Sequence, residues 1–198
     1  MKWKSGHSRP EDEFEDSEDF YASEDSRTHS SQNIERTQRK LTLRAVELLH
    51  PALGSRVLDA GCGNGFSTKV LKELGFAQVT GVDSSRDMVQ QGILNGLHVV
   101  LGNFTSLPFP ENSFDVVVSI SAFQWVSKDA PKLAKTVAEL RRVLAKGGSG
   151  VIQFYPKSSN ELEAVEKAFR STGFTVKTQT DNPRNARKRR VFVLFERP

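Results

Sequence analysis

Three glycines at alternate positions, Gly61, Gly63 and Gly65, follow the short apolar run Val57-Leu58-Asp59-Ala60. Glycine has no Cβ, so a chain that spends three of them in five residues turns sharply and presses its backbone against a ligand. A second strand-like run, Val79-Thr80-Gly81-Val82, ends in an acid, Asp83. A strand, a glycine turn opening a helix, and a second strand ending in an acid are how a parallel α/β sheet builds a nucleotide pocket. N–H groups at the helix start face the ligand, and the acid takes the ribose hydroxyls. With Ser84 and Ser85 beside it, Asp83 also suits a helix N-cap, and the two roles are compatible.

The spacing selects among nucleotides. The dinucleotide fingerprint G-x-G-x-x-G requires a glycine where this chain has Phe66. Here an acid, Asp59, also stands two residues before the first glycine. The pattern D-x-G-x-G-x-G resembles motif I of the Rossmann-like methyltransferases, which bind S-adenosylmethionine. That resemblance implies a cofactor site of Asp59, Gly61, Cys62, Gly63, Gly65, Asp83 and Ser84, joined by Ser119 at the end of the fourth strand. After the third strand, Gly102-Asn103-Phe104 stands where that fold commonly puts an Asp beside the adenine. Asn103 differs in charge but still hydrogen-bonds an adenine edge; its other reading is a turn residue.

At 198 residues the chain has room for one domain with a full core. No apolar stretch approaches the 18 residues of a membrane span. The one cysteine, Cys62, excludes an internal disulfide and reads as a small residue in a tight turn rather than a nucleophile. His7, His29, His50 and His98 are scattered without ligand spacing, so no metal site is expected. The net charge of +4 hides an asymmetry: Glu11 to Asp25 holds nine acids and no base, leaving 28 bases against 15 acids elsewhere. That balance suits a polyanionic partner, although a solvated basic surface produces it too.

Residues 1–33 are polar, acidic and aperiodic, and read as a largely disordered arm. Residues 34–198 read as one domain. Leu41, Ala45, Leu48 and Leu49 recur at helical spacing and stop before Pro51. Strands are expected at 57–60, 79–82, 98–101, 114–121 and 150–155, and two more at 175–180 and 191–195. Helices are expected at 67–74, 86–94, 130–144 and 160–171, the third ended by Gly147-Gly148. The alternation predicts an α/β fold: an open, mostly parallel seven-stranded sheet with helices on both faces. The methyltransferase resemblance makes the last strand antiparallel. Ligands belong at the carboxyl ends of the strands, near the reversal of strand order.

The fourth strand ends in Ser119-Ile120-Ser121-Ala122-Phe123-Gln124-Trp125. The acceptor pocket of this fold lies there. Aromatic faces stack on a base and an amide reads its edge, so Gln124 and Trp125 are the candidate acceptor-site residues, while Phe123 fits the core equally well. Methyl transfer from a sulfonium is an in-line displacement that requires geometry and dryness more than a general base. Near the C-terminus, Arg184, Arg187, Lys188, Arg189 and Arg190 place five bases in seven residues, within a basic loop at 181–190. They form a phosphate-binding strip, a nuclear localisation signal or a solvated loop.

Together these segments resemble the eukaryotic small-subunit (18S) rRNA guanine-N7 methyltransferases. The resemblance rests on Tyr21, the helix Gln38–Leu49, the Ser119–Trp125 motif, Val151–Pro156, and the ending Asp181-Asn182-Pro183 through Phe192. It implies S-adenosyl-L-methionine as donor and a guanine of nascent rRNA as acceptor. It implies a small zinc-binding activator subunit as heterodimer partner, paired along the sheet edge near 98–101, and work in the nucleus and cytoplasm. N7 of guanine carries an in-plane lone pair and requires no base. Two other readings compete: a small-molecule methyltransferase of the ubiquinone-biosynthesis type, sharing Leu107-Pro108-Phe109 and Phe114-Asp115, and a non-catalytic ribosome assembly factor keeping the fold.

Overall fold

A strand buried on both faces must send alternate side chains into two separate cores, and the fourth strand does so. The computed structural model describes residues 32–185 and 188–198. Its strands are β1 (Arg56–Ala60), β2 (Gln78–Asp83), β3 (Val99–Leu101), β4 (Phe114–Ile120), β5 (Leu144–Phe154), β6 (Thr175–Asp181) and β7 (Arg190–Glu196). The helices are α1 (Gln32–Leu49), α2 (Phe66–Glu73), α3 (Arg86–Leu94), α4 (Ala130–Val143) and α5 (Ser159–Ser171). On β4, Val117 joins Leu133, Val137 and Leu140 of α4 and Val165 and Phe169 of α5. Val116, Val118 and Ile120 join Leu41 and Ala45 of α1 and Leu71 of α2 on the other face. The period-two alternation thus assigns the helices to their layers.

The strand order is β3-β2-β1-β4-β5-β7-β6. All neighbours are parallel except β7, which runs antiparallel to β5 and β6. The expected sheet and its antiparallel last strand are both present. The order reverses between β2 and β4, on either side of β1, and the crevice above that point is where ligands bind. Arg56 at the foot of β1 grips Asp115 of β4 through its backbone N–H (2.9 Å) and both ends of its guanidinium (3.0 and 2.6 Å).

Two boundaries differ from the sequence pattern. Helix α1 begins at Gln32; residues 1–31 of the expected arm, and Ala186 and Arg187 of the basic loop, lie outside the described residues. Helix α4 ends at Val143 rather than at Gly147-Gly148. Leu144 is already extended and fully buried, paired with Phe114, and the register then jumps to Val116 opposite Ser149. The intervening residues loop out as a bulge inside β5. Gly147, at φ +74°, donates to the Arg197 carbonyl (2.7 Å), and Gly148 accepts the Arg197 N–H (2.9 Å). The glycines therefore serve a bulge and not a helix cap, because burying Leu144 in the sheet outweighs another turn of helix.

One bare backbone position holds the distal core. A Cβ on Gly150 would lie 2.2 Å from the Phe195 ring. That ring cannot swing away, packed as it is against Phe169 (4.6 Å between centroids) and Phe174 (5.1 Å). Gly150→Ala should destabilise the chain by about 1–3 kcal/mol through overpacking, measured as a lower urea midpoint. Adding Phe195→Leu should recover part of the loss.

Candidate active site

A cavity of about 530 Å³ opens above the carboxyl ends of β1, β2 and β4. Its floor is the glycine turn at Gly61 and Gly63, and Gly61, Gly63 and Gly65 have φ of +74°, +55° and +85°. The N–H groups of Gly61 and Cys62 both donate to the Val82 carbonyl (2.8 and 3.1 Å), and that of Gly65 to Cys62 (3.0 Å). The Gly63 N–H donates to one oxygen of Asp83 at 2.7 Å, and the Ser85 N–H to the other at 3.0 Å. The carboxylate is thereby fixed at the cavity wall, while the cap of α3 is Ser85, whose hydroxyl accepts from Met88 N–H (3.4 Å). Four N–H groups of the turn, those of Gly61, Cys62, Gly63 and Gly65, are thus spent inside the protein. A pyrophosphate needs such donors. A nucleoside ligand without phosphate does not, and S-adenosylmethionine is one.

Cys62, Ser84, Asn103, Phe104 and Trp125 line the cavity as expected. Burial pushes the Cys62 thiol well above its usual range, reinforced by the charges of Asp59 and Asp83, so it is no nucleophile. Asn103 accepts the N–H and hydroxyl of Thr105 on its carbonyl oxygen (3.0 and 3.1 Å), so its amino end is the group left for a ligand. Phe104 stands edge-on to Phe123 at 6.0 Å. Phe123 itself is fully buried and belongs to the core.

Four expected site residues are elsewhere. Asp59 is fully buried and does not line the cavity. One of its oxygens accepts the hydroxyls of Ser67 (2.6 Å) and Thr68 (2.7 Å), fastening the first turn of α2; the other has no partner among the described residues. Gly65 packs instead, since a Cβ there would lie 2.4 Å from Leu97. Ser119 is buried within β4. Gln124 is buried beneath the wall, its amide nitrogen donating to the Ser121 carbonyl (2.6 Å). A short 3-10 turn, Phe123–Trp125, produces this split: it turns Phe123 and Gln124 inward and leaves Trp125 at the cavity.

The basic loop is also divided. Arg184 and Lys188 are exposed. Arg189 is buried, its guanidinium donating twice to the Pro183 carbonyl (3.2 and 2.9 Å) to close the loop. Arg190 lies over the Tyr155 ring at 5.5 Å. The expected strip is narrower as a result, because Arg189 is turned inward to satisfy the Pro183 carbonyl.

Pattern reading missed two cavity walls. Ile34, Glu35 and Gln38 come from the first turns of α1, and Asp129, Lys132 and Lys135 from the start of α4. The i,i+4 pair Ile34/Gln38 and the i,i+3 pair Lys132/Lys135 each mark one helix face. Nothing local shows that those faces overhang the glycine turn.

Fold and site together define a Rossmann-like class I methyltransferase. The description "Methyltransferase domain" matches residues 58–152. The 18S rRNA (guanine(1575)-N(7))-methyltransferase of Saccharomyces cerevisiae is 36% identical over 189 residues, covering 89% of this chain and 68% of the relative. The 18S rRNA (guanine-N(7))-methyltransferase of Bos taurus is 34% identical, covering 81% of this chain and 62% of that one. The chain belongs to the 18S rRNA guanine-N7 methyltransferase family. It spans about two thirds of the length of these relatives. Among solved structures, a putative methyltransferase of Haloferax volcanii, in complex with the Trm112 methyltransferase activator, superposes with a TM-score of 0.74 at 21% identity. It covers 91% of this chain and 97% of its own.

Burial raises the Asp59 carboxyl to about 6, the Ser67 and Thr68 hydroxyls opposing the rise and Asp83 adding to it. In the unfolded chain an aspartate titrates near 3.9. The folded state therefore keeps its proton longer. Stability from this residue is greatest below about pH 4 and falls as pH climbs to about 6, by on the order of 2–3 kcal/mol. Asp59→Asn should lack that fall. Urea midpoints of both proteins at pH 4, 5, 6 and 7 should show the variant gaining on the parent across the window.

Proposed function

We propose that the chain transfers a methyl group from S-adenosyl-L-methionine to N7 of a guanine in small-subunit rRNA during ribosome assembly. The observation that carries the reading is the cavity itself. Its glycine turn is held by four internal N–H bonds, its carboxylate is fixed, and an aromatic residue stands at the wall. The donor supplies the electrophilic methyl. Asp83 would hold the ribose hydroxyls, Asn103 would donate from its amino end to the adenine, and Gly61 and Gly63 would allow the backbone to lie close. A Cβ on Gly63 meets no protein atom within 4 Å, so packing alone does not account for that glycine.

On the acceptor side, Trp125 lines the cavity and would stack on the base. The guanine N7 lone pair lies in the ring plane, so the residues around it need only orient it and exclude water. Lys132 and Lys135 line the cavity, and Arg184 and Lys188 are exposed on the basic loop; they suit the phosphates of a polyanion.

The partner reading has its own support. Strand β3 is an edge of the sheet. Beside its unpaired backbone, Leu101 is 38% exposed, and Ile93 and Leu94 at the end of α3 are 56% and 79% exposed. An apolar patch on a sheet edge suits strand addition by a small activator subunit. The Haloferax volcanii neighbour is in complex with an activator of methyltransferases. Assembly-linked work of this kind would take place in the nucleus and cytoplasm.

The chain co-purified with a zinc-binding activator should label small-subunit precursor particles from methyl-labelled donor. Chemical cleavage at N7-methylguanine should then give one strong site. A bound donor with no label in RNA would overturn the reading. Asp83→Ala removes charge-assisted bonds of about 1.5–3 kcal/mol, so it should weaken donor binding roughly 10–100-fold, measured by titration calorimetry.

A further inference from the structure

Ser121 is the described non-glycine residue that combines a left-handed backbone, φ +56°, with a place on the cavity wall. The others at positive φ are His50, Asn112 and Asn182, none of which lines it. Asparagine tolerates this region; serine adopts it at a cost, and such a cost concentrates where geometry matters to function.

The hydrogen bonds of Ser121 can be assigned one by one. Its N–H donates to the Gln153 carbonyl at 2.9 Å, extending the β4–β5 ladder by one step. Its carbonyl accepts the Gln124 amide nitrogen at 2.6 Å. Its hydroxyl donates to the side-chain oxygen of Gln153 at 2.8 Å. Gln153 is fully buried, and its amide nitrogen donates to the Phe154 carbonyl (3.2 Å), which sets the orientation of the amide. An amide oxygen only accepts, so the hydroxyl proton is committed to Gln153. A hydroxyl has one proton and two lone pairs. With the proton spent, the oxygen can act only as an acceptor, and Ser121 lines the cavity.

We infer that Ser121 is a specificity residue that accepts an N–H from the Watson–Crick edge of the target guanine. This deepens the proposed function and rests on it. Guanine carries donors on that edge at N1 and at the 2-amino group, whereas N7 lies on the opposite, Hoogsteen edge. Holding the first edge at Ser121 leaves N7 directed away from it. Trp125, four residues on and on the same wall, is placed to stack on the ring. Gln153 acts through Ser121: it has no exposure to the cavity and determines which way the hydroxyl points. An adenine has an acceptor at N1 and a single donor group, the 6-amino, on that edge, so a base seated with N1 at Ser121 would set two lone pairs against each other.

The test is base selectivity. RNA fragments containing the mapped target carry guanosine, inosine (no 2-amino group) or N1-methylguanosine at that position. The probe reaction is methylation by the chain with its activator, read as kcat/KM for each. The parent protein should lose roughly tenfold on at least one analogue, the size of one hydrogen bond. Ser121→Gly should lose a similar factor on guanosine and then treat guanosine and that analogue alike. Glycine favours φ above zero, so this variant removes the hydroxyl while keeping the turn. Gln153→Leu, which frees the hydroxyl proton, should also blunt the selectivity. Unchanged analogue ratios in Ser121→Gly, or equal rates on all three RNAs in the parent, would overturn the inference. If the parent methylates none of the three while binding donor, the proposed function fails and the inference falls with it.

Discussion

A Cβ on Gly61 would lie 2.4 Å from that of Ala122 and 3.1 Å from the ring of Phe104. Three loops meet at that bare position: the turn after β1, the end of β4, and the segment after β3. Any side chain would push the loops apart, and φ +74° already excludes most residues. The contact explains why the cavity is a single space. The floor comes from Gly61 and Cys62, which hang from the Val82 carbonyl; one wall comes from Phe104, and another from the Ser121-Ala122 corner. A change at Gly61 would therefore disturb donor and acceptor sides together.

The two acids of the glycine motif show how neighbours in a pattern come to differ. Asp59 and Asp83 each end or nearly end a strand beside the same turn. Asp83 accepts two backbone N–H groups at the cavity wall. Asp59 is sealed below, with two hydroxyls on one oxygen, and burial outweighs them. The first acid thus stands at the cavity wall, and the second serves the architecture of α2. Four loop N–H groups are spent on holding the turn and Asp83 in place, so the turn is fixed before any ligand arrives.

This contrast marks how far the sequence could be read. The glycine spacing, the apolar β4 and the stripe of α4 are local patterns with local physical causes; they predicted the sheet and the turn, and Asp83 and Trp125 stand at the cavity. Asp59, Gln124 and Arg189 were misplaced because their chemistry suited a site and only tertiary packing turned them inward. Gln124 stands one residue before Trp125, and a 3-10 turn separates their fates. Gly147-Gly148 looked like a helix stop because nothing in the pattern reveals that Leu144 is needed in the sheet. The α1 wall was illegible for a different reason: its cavity-facing turn carries Ile34, Glu35 and Gln38, and no periodicity tells which neighbour a helix crosses.

Helix α1 explains why the basic loop and the cavity are parts of one surface. Its first turns line the cavity, Arg39 pairs with Glu73 of α2 at 2.5 Å, and Arg44 grips Asp181 through two bonds of 3.0 and 3.3 Å. Asp181 is the last residue of β6, where the basic loop leaves the sheet. The Arg44 bonds hold that carboxyl below its ordinary range even though burial opposes them, so the link stays ionic at neutral pH. Such a half-exposed pair adds little to global stability. Its effect is positional: one rigid helix fixes the root of the loop relative to the cavity wall. Arg189 then closes the loop from within, leaving Arg184 and Lys188 outward. A polyanion held by those two cations would be registered against the cavity by the helix.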